Sequence, residues 1–163
     1  MDGRLVLITG GNTGLGLETA VALATEGAQV IITSRDAQKG TTARDEIRTR
    51  SGSDAVDVMA LDLAILGSVR DFASAFTTDH DHLDVLVNNA GLMLGSRRET
   101  VDGYEMTFQV NHLGPFLLTE LLREQLVADA TFTTRAASPA TSCSRRRLVS
   151  RNGPRWFTWN VIS

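Results

Sequence analysis

The stretch Thr9-Gly10-Gly11-Asn12-Thr13-Gly14-Leu15-Gly16 joins two segments of different hydrophobic pattern. Before it, Leu5 to Ile8 is an unbroken apolar run, which is typical of a parallel strand covered on both faces. After it, apolar residues recur at helical spacing until Gly27. In a strand–turn–helix setting, glycines let a phosphate approach the backbone, and the helix start offers free N–H groups. The stretch therefore predicts a pyrophosphate site, with an ordinary glycine loop as the alternative.

The alternation of strand and helix continues along the chain. Each further strand is a short apolar run, and the helices carry apolar residues three or four positions apart. The order β-α-β-α-β-α-β-α predicts an α/β fold, a Rossmann-type doubly wound parallel sheet. The predicted strands are Arg4 to Thr9, Gln29 to Thr33, Val56 to Leu61 and Val85 to Val87, and the predicted later helices are Asp36 to Arg50, Ile65 to Phe76 and Gly103 to Leu126.

The charge of the chain changes abruptly near residue 130. From Ala130 to Ser163 there are six arginines and no acid, so the net charge of −3 leaves −9 for residues 1–129. The strand–helix rhythm stops there too, with one weak strand predicted around Leu148. We therefore predict an NAD(P)-binding Rossmann domain at 1–129, incomplete at its C-terminal end, and an aberrant basic tail at 130–163. A shifted reading frame explains the change, and a genuine divergent tail is the alternative.

The composition narrows the class of protein. Cys143 is the only cysteine, which excludes a disulfide framework and a cysteine metal cluster. No apolar run near Met1 is long enough for a signal peptide or a membrane span, so we expect a cytoplasmic protein without a membrane partner. His80 and His82 lie in an acidic stretch, but no metal site is predicted there. The arginine-rich tail is compatible with nucleic-acid binding, but the acidic body disfavours it, so no nucleic-acid partner is predicted.

Three further motifs follow in a fixed order. They are Asp62-Leu63 after the third strand, Asn88-Asn89-Ala90-Gly91 at the end of the fourth, and Asn111 in the helix beyond it. With the glycine-rich stretch, these motifs resemble the short-chain dehydrogenase/reductase family. The strings Ser34 to Gly40, Asp102 to Glu105 and Asn111 to Gly114 resemble its retinol-dehydrogenase-like branch.

The resemblance implies a dinucleotide cofactor and hydride transfer to or from a small carbonyl or alcohol substrate. It implies that Asp62 contacts the adenine, for which a helix N-cap is the alternative role. It also implies that Asn111 belongs to the catalytic proton relay. The implied cofactor-binding residues are Gly10, Asn12, Thr13, Gly14, Leu15, Gly16, Ser34, Arg35, Asp62, Leu63, Asn89, Ala90 and Gly91.

The end of the second strand bears on the choice of cofactor. An acid there would accept hydrogen bonds from the adenosine ribose and favour NAD(H). The sequence instead has Ser34 and Arg35, and a guanidinium holds a 2′-phosphate through charge-assisted hydrogen bonds. We therefore predict a preference for NADP(H) over NAD(H). Asp36 lies one or two positions late for the ribose role and is the residue that argues against this prediction.

The catalytic pair of the family is missing. The family reaction uses a tyrosine as general acid–base and a lysine four residues later. This chain has one tyrosine, Tyr104, and one lysine, Lys39, in the reverse order. We expect Tyr104 to pack at the start of the long helix. The resemblance therefore predicts an oxidoreductase that is inactive as written, and the alternative is a non-catalytic NADP(H)-binding module or a pseudogene-like fragment.

A sheet without the later strands of the family has a further consequence. We expect the fourth strand to have an uncovered edge, which favours aggregation. The chain is then expected to fold marginally, or only with the cofactor bound. The substrate and the oligomeric state stay open.

Overall fold

The computed structural model describes the backbone of residues 1–134 and the side chains of residues 1–126. Strands and helices alternate over this range, and none of its helices is long and apolar enough to cross a membrane. The predicted strand around Leu148 lies outside the described residues. The elements are β1 (Leu5–Ile8), α1 (Gly14–Thr25), β2 (Gln29–Ser34), α2 (Ala37–Ser51), β3 (Val56–Ala60), α3 (Leu66–Asp79), β4 (Leu83–Asn88), α4 (Met106–Phe108), a π-helical segment (Gln109–Leu113), α5 (Gly114–Leu121) and β5 (Leu126–Thr134).

All five strands form one parallel sheet in the order β3-β2-β1-β4-β5. This confirms the predicted doubly wound sheet. The chain moves outward from β1 to β2 and β3, then returns to place β4 on the other side of β1. The loops after β1 and β4 therefore diverge, and a crevice opens between them at the carboxyl ends of the strands.

The unbroken apolar run of β1 has a direct structural cause. Leu5 and Leu7 belong to one core cluster, which includes Phe76 of α3 and Leu118 of α5. The intervening residues of β1 belong to a second cluster on the other face of the sheet, formed with α1 and α2. Both faces of the strand are covered, and every residue of β1 is buried. Burying one such side chain contributes about 1.5–3 kcal/mol.

The predicted helix from Gly103 to Leu126 is wrong at both ends. Gly103 has a φ of +81° and lies in a turn, and α4 begins only after Glu105, whose carboxylate accepts hydrogen bonds from Thr107 N and Phe108 N. α5 ends at Leu121, and Leu126 begins β5. Leu122 is buried in the core and continues the helical spacing of apolar residues, although α5 ends before it. The spacing therefore predicted a longer helix.

The predicted uncovered edge of β4 is also wrong. β5 pairs in parallel with β4, with a register shift between Leu83 and Val85. Strand pairing uses backbone groups, so the change in composition near residue 130 does not prevent it. β5 spans the predicted domain boundary between residues 129 and 130 and extends to Thr134. In the described sheet β4 is an inner strand, and β5 forms the edge.

Candidate cofactor cleft

A cleft of about 630 Å³ lies at the carboxyl ends of β1, β2 and β4. This volume is in the range of small-molecule and cofactor sites. Twelve of the thirteen residues predicted to bind the cofactor line it: Gly10, Asn12, Thr13, Gly14, Leu15, Ser34, Arg35, Asp62, Leu63, Asn89, Ala90 and Gly91. The sequence analysis did not assign six others that line it: Thr33, Asp36, Lys39, Leu61, Leu92 and Val110.

The glycine-rich loop has the backbone that a phosphate site requires. Gly10 and Gly14 have φ values of +63° and +56°, which side chains rarely allow. A Cβ on Gly10 would lie 3.0 Å from Ala90, so the two sides of the cleft are close together here. Thr13 does not cap the start of α1 with its side chain, and the first turn has no acid. The free N–H groups of this turn therefore suit an anion, and the loop fits the pyrophosphate of a dinucleotide.

Hydrogen bonds join the loops on the two sides of the crevice. The Thr9 hydroxyl accepts hydrogen bonds from Asn89 N and Ala90 N, both at 3.0 Å. The Asn89 side chain donates to Thr9 O at 3.0 Å and to Gly10 O at 3.1 Å. Thr9 of the glycine-rich stretch thus holds the Asn-Asn-Ala-Gly motif in place, and Asn89 holds the glycine loop in return.

Gly16 lies beneath the loop and does not line the cleft. A Cβ at this position would be less than 3.0 Å from Asn89 Nδ2 and from Gly10 O. Gly16 is therefore needed for close packing between α1 and the two loops.

The turn after β2 is held by Ser34 and Asp36. Ser34 is buried, and its hydroxyl donates to Asp36 O at 2.8 Å and accepts from Asp36 N at 3.2 Å. The Asp36 carboxylate accepts from Lys39 N at 3.0 Å and is the N-cap of α2. Asp36, the residue whose carboxylate would favour NAD(H), therefore uses one carboxylate oxygen to cap the start of α2.

Asp62 follows β3, is half-buried and lines the cleft. Its Oδ1 accepts from Ala64 N at 2.9 Å, and its N–H donates to Ser68 Oγ at 3.0 Å. The N-cap of α3 is Ile65, so the alternative role of Asp62 as that helix N-cap is wrong. Contact with the adenine stays a prediction.

Asn111 does not line the cleft, but it holds Leu92, which does. Asn111 Oδ1 accepts from Leu92 N at 2.8 Å, and its Nδ2 donates to Leu92 O at 2.7 Å. Asn111 lies in the π-helical segment, and such bulges are frequent at functional sites. This two-way hydrogen bond fixes the chain where it leaves the Asn-Asn-Ala-Gly motif. The predicted relay role of Asn111 stays a prediction.

The far end of the loop after β4 is fixed by Asp102. Its Oδ2 accepts from Leu66 N at 2.9 Å, at the start of α3, and from Gln109 Nε2 at 2.7 Å. Gln109 is fully buried and also accepts from the Thr100 hydroxyl. Nearby, hydrogen bonds from Thr107 N and Phe108 N lower the pKa of Glu105.

Tyr104 and His112 lie away from the cleft lining. Tyr104 precedes α4 and is 46% exposed, so the prediction that it packs at the helix start is wrong. Its backbone N–H donates to the Thr100 hydroxyl at 3.3 Å, and its carbonyl accepts from Thr100 N at 2.9 Å. The ring of His112 lies between Phe108 and Phe116, with ring centroids 5.1 and 6.5 Å away.

A family model described as short chain dehydrogenase matches residues 4–132. The chain belongs to the short-chain dehydrogenase family. Human retinol dehydrogenase 11 and mouse retinol dehydrogenase 12 are each 48% identical to it over 130 residues, which is 80% of this chain and 41% of each relative. The short-chain dehydrogenase thus spans less than half the length of these relatives, and it is retinol-dehydrogenase-like over the part that it shares with them.

Solved structures agree with this assignment. An uncharacterised protein from Mycobacterium paratuberculosis is 44% identical, with a TM-score of 0.68 over 77% of this chain and 44% of that chain. The Pseudomonas aeruginosa protein RhlG, solved as an active-site complex with NADP, is 31% identical, with a TM-score of 0.66 over 77% of this chain and 48% of its own. The chain therefore belongs to a family of oxidoreductases and has their fold, and one of its structural relatives is solved with NADP bound.

Proposed function

We propose that the 163-residue chain binds NADP(H) in preference to NAD(H) and does not carry out hydride transfer by itself. The observation that carries the cofactor preference is the corner of the cleft at the end of β2. Arg35 lines this corner and has no hydrogen bond or ion pair within the described part of the chain. The nearest acid in sequence, Asp36, has one carboxylate oxygen bound to Lys39 N. A 2′-phosphate would meet a free guanidinium there.

The residues that would hold the rest of the cofactor follow from the cleft lining. The glycine loop and the start of α1 would bind the pyrophosphate through backbone N–H groups. Asp62 and Leu63 would contact the adenine, and Asn89, Ala90 and Gly91 would border the nicotinamide half. When bound, the nicotinamide supplies or accepts the hydride for a small carbonyl or alcohol.

The lack of turnover rests on the missing proton donor. Reduction of a carbonyl needs a group that protonates the developing alkoxide, and such a group contributes about 10²–10⁴-fold in rate. The single tyrosine, Tyr104, does not line the cleft, and the single lysine, Lys39, lies at its adenosine end. Neither residue can serve as the tyrosine–lysine pair of the family.

A non-catalytic NADP(H)-binding module is the second candidate. The favouring observation is that the cleft has an ordered glycine loop and two loops held by reciprocal hydrogen bonds, without the catalytic pair. This candidate shares the cofactor preference, so binding alone does not separate it from an inactive enzyme. A longer chain with a tyrosine four residues before a lysine beyond β5 would restore turnover and favour the enzyme.

The test is a pair of titrations with a matched variant. NADPH is expected to bind more tightly than NADH in calorimetric titration of the purified chain. Arg35→Gln should weaken NADPH binding by about tenfold, which is about 1.4 kcal/mol, and leave NADH binding unchanged. A panel of aldehydes with NADPH should give no oxidation above the blank. Tighter binding of NADH than of NADPH would contradict the proposed cofactor preference. Clear turnover of any aldehyde would contradict the proposed lack of hydride transfer.

A further inference from the structure

The strand β3 forms an edge of the described sheet, and its hydrogen bonds show which of its backbone groups face outward. Val30 N donates to Ala55 O at 2.9 Å, and Leu61 N donates to Ser34 O at 3.2 Å. Both ends of β3 are thus bonded to β2. Because the backbone groups of successive residues in a strand point to opposite sides, every second residue between these ends faces away from β2, starting at Val56.

One end of this outer edge is covered by a side chain of α2. Arg48 donates to Val56 O from Nε at 3.0 Å and from Nη2 at 2.7 Å, and its Nη2 lies 3.4 Å from Asp57 Oδ1. Farther along β3, the outward-facing backbone groups of Val58 and Ala60 have no hydrogen-bond partner within the described part of the chain. Their N–H and carbonyl groups are therefore able to pair with an added strand.

A groove of about 530 Å³ lies beside this edge, between β3 and α3. Its lining includes Met59, Ile65 and Phe72 as apolar residues and Asp71 as its charged residue. Asp57 lies two positions before Met59, so its side chain is on the same face of β3, and it is 75% exposed. On this face, an added strand would meet an apolar surface and two carboxylates.

The acids beside the groove indicate which kind of segment fits it. A second copy of β3 would bring its own Asp57 and Asp71 to the interface, and residues 1–129 are acidic overall, so like charges oppose self-pairing. A segment of the same chain after Thr134 would start from β5, at the opposite edge of the described sheet. It would have to cross the cofactor cleft, which lies at the carboxyl ends of the strands between the two edges. A basic segment of another protein meets neither obstacle.

We propose that the outer edge of β3 binds an extended, basic segment of another protein as an added strand. Backbone hydrogen bonds to Val58 and Ala60 give this complex its affinity, and side chains over the groove give it specificity. On the face that meets the groove, basic and apolar residues of the segment alternate. A basic side chain lies opposite Asp57, and an apolar side chain lies opposite Met59.

The probe is a capped synthetic peptide with the order threonine, lysine, threonine, valine, threonine, lysine, threonine. This order reads the same in both directions, so the peptide suits parallel and antiparallel pairing, and it places the valine and both lysines on one face. Amide hydrogen exchange of the chain, followed by NMR, should slow at Val58 N and Ala60 N when the peptide binds. It should stay unchanged at Met59 N, which faces β2.

Charge variants test the recognition of the basic residues. Asp57→Asn and Asp71→Asn should each weaken peptide binding by about twofold to fivefold, the range expected of an exposed ion pair. Asp79→Asn is the matched control, because Asp79 is also an exposed acid on α3 but does not line the groove, and it should leave binding unchanged. A peptide with glutamate in place of both lysines should bind about tenfold more weakly or not at all.

Several outcomes would overturn the proposal. They include no binding of the lysine peptide, equal binding of the lysine and glutamate peptides, and binding that leaves the exchange of Val58 N and Ala60 N unchanged. Slow exchange of these two amides in the chain alone would overturn it as well, because the edge would then be occupied already. If that slow exchange became faster on dilution, the occupant would be a second copy, and if dilution had no effect, it would be a segment of the same chain.

Discussion

Gly16 and Asn89 illustrate how a missing side chain shapes this site. The Asn89 amide donates to Thr9 O and Gly10 O, so it occupies the space directly beneath the glycine loop. Gly16 faces the same amide, and any Cβ there would displace it. The glycine thus acts on the cleft through the hydrogen bonds of Asn89 rather than through contact with the ligand.

A Gly16→Ala substitution is expected to destabilise the fold by about 1–3 kcal/mol, the usual cost of overpacking. It should also weaken NADPH binding, because the two loops must separate. Gly67→Ala is the matched control, since Gly67 also lies in the first turn of a helix and its nearest neighbour to a new Cβ is Ile65 at 3.9 Å. In chemical denaturation, Gly67→Ala should be as stable as the native chain or more stable. Equal stability of Gly16→Ala and the native chain would refute the packing role.

The loop after β4 is the part of the fold that the sequence pattern predicts least well. It contacts two other parts of the fold, the π-helical segment and α3: Asn111 holds its first residues through Leu92, and Asp102 holds its end through Leu66 and Gln109. α3 has no side-chain cap of its own at Ile65. Asp102 supplies this cap from 36 positions along the chain.

An Asp102→Ala substitution should cost about 1 kcal/mol for the lost helix cap. It should cost a further 1–3 kcal/mol or so because the buried Gln109 amide loses its acceptor. Asp71→Ala provides the control: Asp71 is an exposed acid on α3, and its removal is expected to change stability by less than about 0.5 kcal/mol. Urea unfolding curves of the two variants measure both effects. Indistinguishable midpoints would show that Asp102 does not stabilise the loop.

At the scale of the whole molecule, the sheet order places three loops around one ligand. The strands β2, β1 and β4 lie side by side, and their carboxyl ends supply the phosphate corner, the glycine loop and the Asn-Asn-Ala-Gly motif. A cofactor in this crevice would touch all three loops at once. It would therefore bind the folded chain and not the unfolded chain, which couples binding to stability.

NADPH at about one hundred times its Kd is expected to stabilise the chain by about 2.7 kcal/mol. For a chain of this size, that corresponds to a rise in Tm of roughly 5–10 °C. Thermal unfolding followed by circular dichroism, with and without NADPH, measures this shift. 5′-AMP at the same concentration is the control and should raise Tm less, since it lacks the 2′-phosphate and the nicotinamide half. A larger shift with NADH than with NADPH would count against the proposed preference.

The sequence by itself determined the alternation of strands and helices, the glycine loop and the family. These features depend on residues close together in the chain, where apolar spacing and glycine conformation act locally. Twelve of the predicted cofactor residues line the cleft for the same reason, since each follows directly from a strand end or a loop motif.

Only the tertiary structure decided the position of Lys39 at the cleft, the capping of α3 by Asp102 and the pairing of β4 with β5. It also placed Gly16 beneath the loop and Asn111 on Leu92. Each of these features joins parts of the chain through backbone groups or close packing. Such contacts carry no periodic signal, because a backbone N–H or carbonyl is the same in every residue, and the sheet alone brings the partners together.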